Sequence, residues 1–220
     1  MPNTINIDDM RTWLEARYEA GETVYALLEG AGKRRKPIID QVFEGSENLS
    51  VTLLYYDTDF EPVADVGPLL VEVPRQSRFT DWMLHEGVSL GAGIFIASPC
   101  DYMVTTRHLR GLIEIILPNR NLALFRFHDP LVLDRYVNCV GDAALRRLLG
   151  PLSAMAWPEE LLDGGVRWRT LWQPASSEPG AQCEAPEEPM ISWSVEDMAA
   201  FEEHDQRNLA KRLLHSFPAN

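Results

Sequence analysis

The chain has 220 residues, of which 45% are hydrophobic, and this is enough to bury a core in one domain with a small appended lobe. Its formal net charge of −13 argues against nucleic acid or an anionic membrane as a partner, because attraction to phosphate requires clustered Lys and Arg. No apolar run approaches the ~20 residues that cross a bilayer. Residues 1–9 also lack the basic and apolar regions of a secretory signal, so we expect a cytoplasmic protein without membrane insertion.

The first half of the chain alternates helical and strand-like patterns. Asp8 or Asp9 can cap a first helix that ends near Gly21. A short helix is predicted to open at Pro37, and another helix is predicted from Ser77 to Glu86. Apolar runs bounded by turn residues predict strands at residues 23–28, 51–56, 69–73 and 93–97.

The second half carries clearer boundary signals. Residues 98–101 place a capping serine, a first-turn proline and an acid in order, which predicts a helix from there to about Gly111. Two apolar runs joined by a Pro-Asn-Arg-Asn turn predict a hairpin over residues 112–127, and further helices should begin at Asp129-Pro130 and at Gly141-Asp142. Strands interleaved with such helices predict an α/β (α+β) fold, in which flanking helices cover a mixed sheet. The hairpin argues against a purely parallel sheet.

The character of the sequence changes after Trp157-Pro158. We therefore predict an α/β domain over residues 1–155 and a small, mainly helical C-terminal lobe over residues 156–220. Within this lobe, the alternating run at 166–172 is typical of an exposed edge strand, and the prolines and glutamates of 174–190 are typical of a flexible tether. A terminal helix is predicted over 194–217. From 174 to 206 there are nine acidic residues and no Lys or Arg, so the acidity of the chain is concentrated there.

The three cysteines, Cys100, Cys139 and Cys183, are odd in number, widely spaced and without a Cys-x-x-Cys pair. This pattern argues against a disulfide framework and against a cysteine-rich zinc site.

Few residues suggest catalysis. Asp57-Thr58-Asp59 follows a predicted strand and could hold a divalent metal for nucleotide-sugar transfer, although a polar turn is a far commoner explanation of so short a pattern. His128 and Asp129 could be a base and its orienting acid, but adjacent side chains seldom face each other, and Asp129 before Pro130 suits a helix cap. We therefore expect no enzyme, no catalytic residue, no metal and no cofactor. The basic loop Lys33–Lys36 is either solvated or receives an acidic patch of a partner.

Several segments together resemble one protein family. They are residues 25–31, 69–73, 79–87, Leu109-Arg110 and, most specifically, residues 124–133, Leu-Phe-Arg-Phe-His-Asp-Pro-Leu-Val-Leu. These segments are similar to the adaptor proteins of type VI secretion in Gram-negative bacteria, which act as effector chaperones. The resemblance extends over about residues 24–152. The sequence departs from the family at His128, where an aromatic is usual, at Leu131, where Arg is frequent, and at residues 88–91, where a Trp is common.

The resemblance implies a non-catalytic protein that binds a secreted effector encoded nearby and helps to load it onto the VgrG spike protein. We expect the α/β body to be the scaffold and the C-terminal lobe to be the effector surface, with apolar anchors inside an acidic rim, namely Trp168, Trp172, Trp193, Phe201, Glu202 and Glu203. Packing of these aromatics onto the body is the alternative. The motif residues are expected to be structural: Phe125, Arg126, Phe127, Asp129 and Pro130. Two rival functions remain, the metal-dependent transferase and a structural component of the secretion apparatus.

Overall fold

The computed structural model describes residues 2–44, 49–161, 165–173, 183 and 191–204. The strands of this part are β1 (Asn3–Ile5), β2 (Thr23–Leu28), β3 (Val51–Leu53), β4 (Leu69–Glu72), β5 (Gly93–Ser98), β6 (Glu114–Ile116), β7 (Leu122–Leu124), β8 (Ala154–Glu160) and β9 (Val166–Trp172). Its α-helices are α1 (Ile7–Glu19), α2 (Arg35–Ile39), α3 (Arg78–Trp82), α4 (Val88–Leu90), α5 (Tyr102–Gly111), α6 (Pro130–Cys139), α7 (Asp142–Leu149) and α8 (195–204). Shorter 3-10 and π segments lie at Gly32–Arg34, Asp40–Glu44, Glu61–Val66 and Met83–Gly87.

The described strands form a seven-stranded sheet in the order β1-β9-β8-β5-β2-β4-β3, and β6 and β7 form a separate hairpin. Together with the helices this confirms the α+β class. Neighbours in the large sheet pair antiparallel, so the predicted mixed sheet is wrong. The central strands are unbroken apolar runs because helices cover both faces of the sheet, and such runs are more typical of parallel strands. The apolar pattern of these strands therefore predicts that they are buried but does not predict their direction.

Alternate residues of the central strands serve two separate cores. Tyr25 and Leu27 of β2 face one core, which α5, α6, α7 and the hairpin cover. Val24, Ala26 and Leu28 face the other core, which is covered by α1 and by the helical segment that begins with α3. The protein therefore has three layers, with the sheet in the middle.

The predicted boundary at residue 155 falls inside β8, so it does not separate two units there. β8 pairs with β5 through Ala154–Ala156 and with β9 along its whole length. Residues 166–172 do form the predicted strand, but β9 lies between β8 and β1 and is not at the edge of the sheet. Residues 154–160 and 166–172 thus belong to the sheet and not to a mainly helical lobe.

The predicted terminal helix is confirmed over residues 195–204, and its remaining part lies outside the described residues. Ser194 and Asp197 form the predicted capping box: the Asp197 N–H donates to Ser194 Oγ at 3.0 Å and the Ser194 N–H donates to Asp197 Oδ2 at 2.9 Å. Of the predicted tether at 174–190, the described part is Cys183 alone.

Cys183 forms a disulfide with the buried Cys100, which corrects the argument against a disulfide framework that the cysteine pattern suggested. Their Cα atoms lie 5.5 Å apart although 83 residues separate them in sequence. Cysteine count and spacing carry no information about such a long-range contact, which explains the error. Cys139 is a free thiol.

Two smaller findings concern helices. α5 begins at Tyr102 and not at residue 99, because Asp101 is the residue that caps it, accepting from the Val104 N–H at 2.8 Å. Ser98 instead contacts the Thr105 hydroxyl at 2.8 Å inside the core.

In the part of the chain that the structure describes, no helix has the length and apolarity needed to cross a membrane.

Candidate functional site

Three loops converge where the C-terminal end of β2 meets the N-terminal ends of β4 and β5. Antiparallel pairing places these strand ends side by side. Gly30, just after β2, lies against Gly67, just before β4, and a Cβ atom on Gly30 would stand 1.6 Å from the Gly67 carbonyl oxygen. The neighbouring loops are also joined by Arg35, which donates to the Asp65 carbonyl oxygen at 3.1 and 3.0 Å. Only glycine fits at position 30, so this close approach of two loops is built into the sequence.

Glu29 joins two of the segments that carry the family resemblance. Its Oε1 accepts a hydrogen bond from the Ala31 N–H at 2.9 Å, which fixes the turn after β2. Its Oε2 accepts from the Arg126 guanidinium, which comes from the segment after β7. Arg126 also lies 3.7 Å from Asp129 Oδ2. We call Glu29, Arg126 and Asp129 the motif junction.

The charges of the motif junction are unequally exposed to solvent. The Arg126 side chain is 43% exposed, whereas the side chains of Glu29 and Asp129 are 5% and 14% exposed. The surface therefore presents the guanidinium, and the carboxylates lie beneath it. A buried carboxylate needs such a partner because leaving its charge unpaired is costly.

The other motif residues hold the segment in place. The Phe125 ring centroid lies 4.8 Å from that of Tyr136 on α6, and Phe127 is fully buried in the same core. Asp129 caps α6 by accepting from the Leu131 N–H at 3.0 Å, and Pro130 occupies the first turn. Through these contacts the segment is fixed to α6 and to the core beneath it.

Two histidines are buried in the neutral form. Burial, followed by the nearby Arg126 charge, lowers the pKa of His128 to about 3, although its Nε2 is 3.9 Å from the Glu29 carboxylate. Glu29 favours the imidazolium, but its charge is already engaged by Arg126, so burial dominates. Burial also lowers the pKa of His108 to about 4, and its Nε2 lies 2.9 Å from the Leu148 carbonyl oxygen. The structure thus places His128 against Glu29 and uses Asp129 as a helix cap.

Asp57 and Asp59 are both exposed on the turn after β3. Asp57 Oδ2 lies 3.3 Å from the Arg110 guanidinium, and its N–H donates to Glu61 at 3.3 Å. Its φ of 56° is a conformation that Asp tolerates in tight turns. Within the described ranges, no three His, Cys, Asp or Glu side chains are grouped so that they could hold a metal ion.

The predicted aromatic anchors do not share one surface. Trp168 is buried within the sheet, with its ring 5.6 Å from that of Phe95, so it is unavailable as a surface anchor. The error arises because β9 lies inside a sheet that is covered on both faces, so that Trp168 faces one core and Leu171 faces the other. Trp172, at the end of the same strand, is exposed.

Trp193 and Phe201 pack onto the body instead of standing free. The Trp193 ring lies 5.9 Å from Tyr136 on α6 and 5.0 Å from Phe201 on α8. The preceding Ile191 is buried in the core below the hairpin. For these two aromatics the packing alternative describes the structure. Glu202 and Glu203 are exposed on α8.

Sequence reasoning missed Glu29 as the partner of Arg126. The signal was present, since Glu29 is the one charged residue in the apolar segment 25–31 that carries part of the family resemblance. A charge in that place calls for a partner, but sequence alone does not identify which of the 20 Lys and Arg residues supplies it.

Comparison with known families gives one match. Residues 24–147, more than half of the chain, match the family described as a domain of unknown function, DUF4123. The chain belongs to this family. No curated protein and no solved structure gives a significant match.

Proposed function

We propose that the protein is an effector adaptor of type VI secretion, which binds one secreted effector and assists its loading onto the VgrG spike. The proposal is carried by membership of a family known for effector chaperones and adaptors of this secretion system. The function requires recognition of another polypeptide and no bond-making by this chain.

The placement of the motif residues supports the proposal. Their contacts are made with the chain itself: Glu29 and Arg126 join two loops, and Phe125 and Phe127 fill the core. The residues that identify the family therefore build a scaffold, and recognition of a particular effector falls to exposed residues outside the motif.

Co-production with the product of the adjacent effector gene tests the proposal. We expect the effector to remain soluble and to co-purify with this protein, and to aggregate or be degraded in its absence. An unrelated effector with its own adaptor is the control, and it should not co-purify. A cognate effector that stays folded and is secreted normally without this protein would contradict the proposal.

The transferase rival is tested by calorimetric titration with Mn²⁺ or Mg²⁺ and nucleotide sugars. The adaptor function predicts no heat of binding. Turnover of a nucleotide sugar that disappears in an Asp57→Asn variant would overturn the non-catalytic proposal.

A further inference from the structure

The hairpin β6–β7 has one edge that the chain itself pairs and one that no described residue pairs. Ile116 of β6 donates its N–H to the Ile191 carbonyl oxygen at 3.0 Å and accepts from the Trp193 N–H at 2.8 Å. Residues 191–193 thus extend the hairpin as a short parallel strand on the β6 side. The β6 edge of the hairpin therefore already pairs with an extended segment, residues 191–193.

The backbone of β7 offers the same kind of edge on the opposite side. Directly paired residues of an antiparallel ladder point their N–H and C=O groups either at each other or both away. Ile116 points its groups away from β7, so its partner Leu122 points its own groups away from β6. Leu124, two residues on, has the same orientation. Among the described residues, no hydrogen bond to these groups of Leu122 or Leu124 is present.

The side chains along this edge are apolar and exposed. Leu122 is 56% exposed and Leu124 is 48% exposed, whereas Phe125, which follows them, is buried. An edge strand that presents free backbone groups and exposed leucines is a template for pairing, and proteins usually block such edges with charge or proline. Here, no charged residue or proline lies within β7 itself.

Arginines flank the leucines at both ends. Arg120 lies exposed in the turn before β7, and the exposed guanidinium of Arg126 follows it. The carboxylates that pair with Arg126 are mostly buried, so its guanidinium faces solvent after β7, whereas the acidic residue of the hairpin, the half-buried Glu114, lies on β6 opposite Leu124. The two arginines favour acidic residues at both ends of a bound segment.

We infer that the β7 edge binds an extended segment of the effector by strand addition, and that this segment has two apolar residues at alternate positions between acidic residues. Backbone groups of Leu122 and Leu124 supply hydrogen bonds, their side chains supply apolar contact, and Arg120 and Arg126 select the flanking acids. The inference rests on the proposed function for the identity of the partner.

The first experiment uses a synthetic peptide of sequence Glu-Thr-Val-Thr-Val-Thr-Glu as the probe, and a peptide with Lys in place of both Glu as its control. We expect the acidic peptide to bind and to slow hydrogen exchange of the Leu122 and Leu124 amides. The double variant Leu122→Lys/Leu124→Lys should bind it about tenfold more weakly or worse, because edge lysines oppose strand addition.

Leu131→Lys is the matched control, because Leu131 is also an exposed leucine, at 43%, but belongs to α6 and not to β7. It should bind the peptide as the wild type does. Thermal unfolding should show both variants to be folded, since the replaced side chains are exposed. Equal binding by the double variant, absence of binding by the wild type, or protection of other amides would overturn the inference. So would concentration-dependent self-association through this edge, which would make a second copy the occupant.

The second experiment repeats effector co-production with the double variant. Loss of co-purification, with retention in Leu131→Lys, would support the inference. Retention in the double variant would overturn it and leave the adaptor function intact. Failure of the wild type to hold the effector would instead contradict the proposed function, and the peptide measurements would still decide the binding property of the edge.

Discussion

Arg126 and Glu29 are unequal partners because only Glu29 is buried. Arg126→Met leaves a buried carboxylate without its cation, so we expect a loss of about 2–4 kcal/mol in the free energy of unfolding. Glu29→Gln leaves the exposed arginine hydrated and should cost about 1–2 kcal/mol. Denaturant unfolding measures both values. Arg120→Met, at an exposed arginine, is the control and should change stability little; equal losses for Arg126→Met and Glu29→Gln would contradict the asymmetry.

The buried histidines make stability depend on pH. In the unfolded chain, imidazoles take up protons below about pH 6.5, but in the folded chain His108 and His128 do so only near pH 4 and pH 3. The contribution of the two neutral histidines to the free energy of unfolding is therefore complete above about pH 6.5. It is lost as the pH falls toward these folded-state pKa values. We expect the free energy of unfolding to decrease by up to about 1.4 kcal/mol per pH unit for each histidine in this range.

Denaturant unfolding between pH 7.5 and 4.5 measures this decrease. His128→Phe keeps an aromatic ring at this position and removes one of the two histidines, so the slope should fall by about half. A slope unchanged by this substitution would show that other groups cause the acid sensitivity.

At the scale of elements, Ile191 and Trp193 pack the segment formed by residues 191–193 and α8 against the body. Ile191→Ser places a hydroxyl in the core under the hairpin, where burial of an unpaired polar group is unfavourable. We expect the segment to detach locally while the sheet stays folded, with faster hydrogen exchange of the Ile116 amide, which donates to Ile191. Val195→Ser, at an exposed residue of the same segment, should leave that amide protected.

Secondary-structure prediction succeeded where the signals were local. The hairpin turn and the Asp129-Pro130 helix start each depend on neighbouring residues, and both are confirmed. β8 was missed because Pro158 suggested a break in the chain. The proline is tolerated because β8 pairs with β5 only through Ala154–Ala156, so residues beyond these need no N–H on that side.

Tertiary pairings could not be read from local patterns. Three features depend on which distant segments of the chain come into contact. They are the antiparallel pairing of the sheet strands, the burial of Trp168 and the contact between Glu29 and Arg126. The family resemblance supplied the motif residues that hold the hairpin to α6, and composition and periodicity predicted the class of the fold. They could not separate an aromatic that lies in the core from one that lies on the surface, because both are flanked by similar residues.

At the scale of the whole molecule, the disulfide fixes Cys183 to the core across a sequence separation of 83 residues. In oxidising buffer we expect one free thiol per denatured chain by thiol titration, that of Cys139, and three after reduction. Reduction should lower the free energy of unfolding by about 2–4 kcal/mol. Cys183→Ser should reproduce this loss and make stability insensitive to reductant, whereas Cys139→Ser should behave as the wild type. Three titratable thiols before reduction would show that the bond does not form.

The pairing of β1 with β9 has a consequence for synthesis on the ribosome. The first strand to be made is joined to the last strand of the sheet, so β1 has no partner until Trp172 has emerged from the exit tunnel. β5 likewise lacks its neighbour β8 until the helices between them have been translated. For most of translation the nascent polypeptide therefore has an incomplete sheet with an unpaired, exposed apolar edge. Ribosome-bound chaperones would have to cover this unpaired sheet edge during elongation.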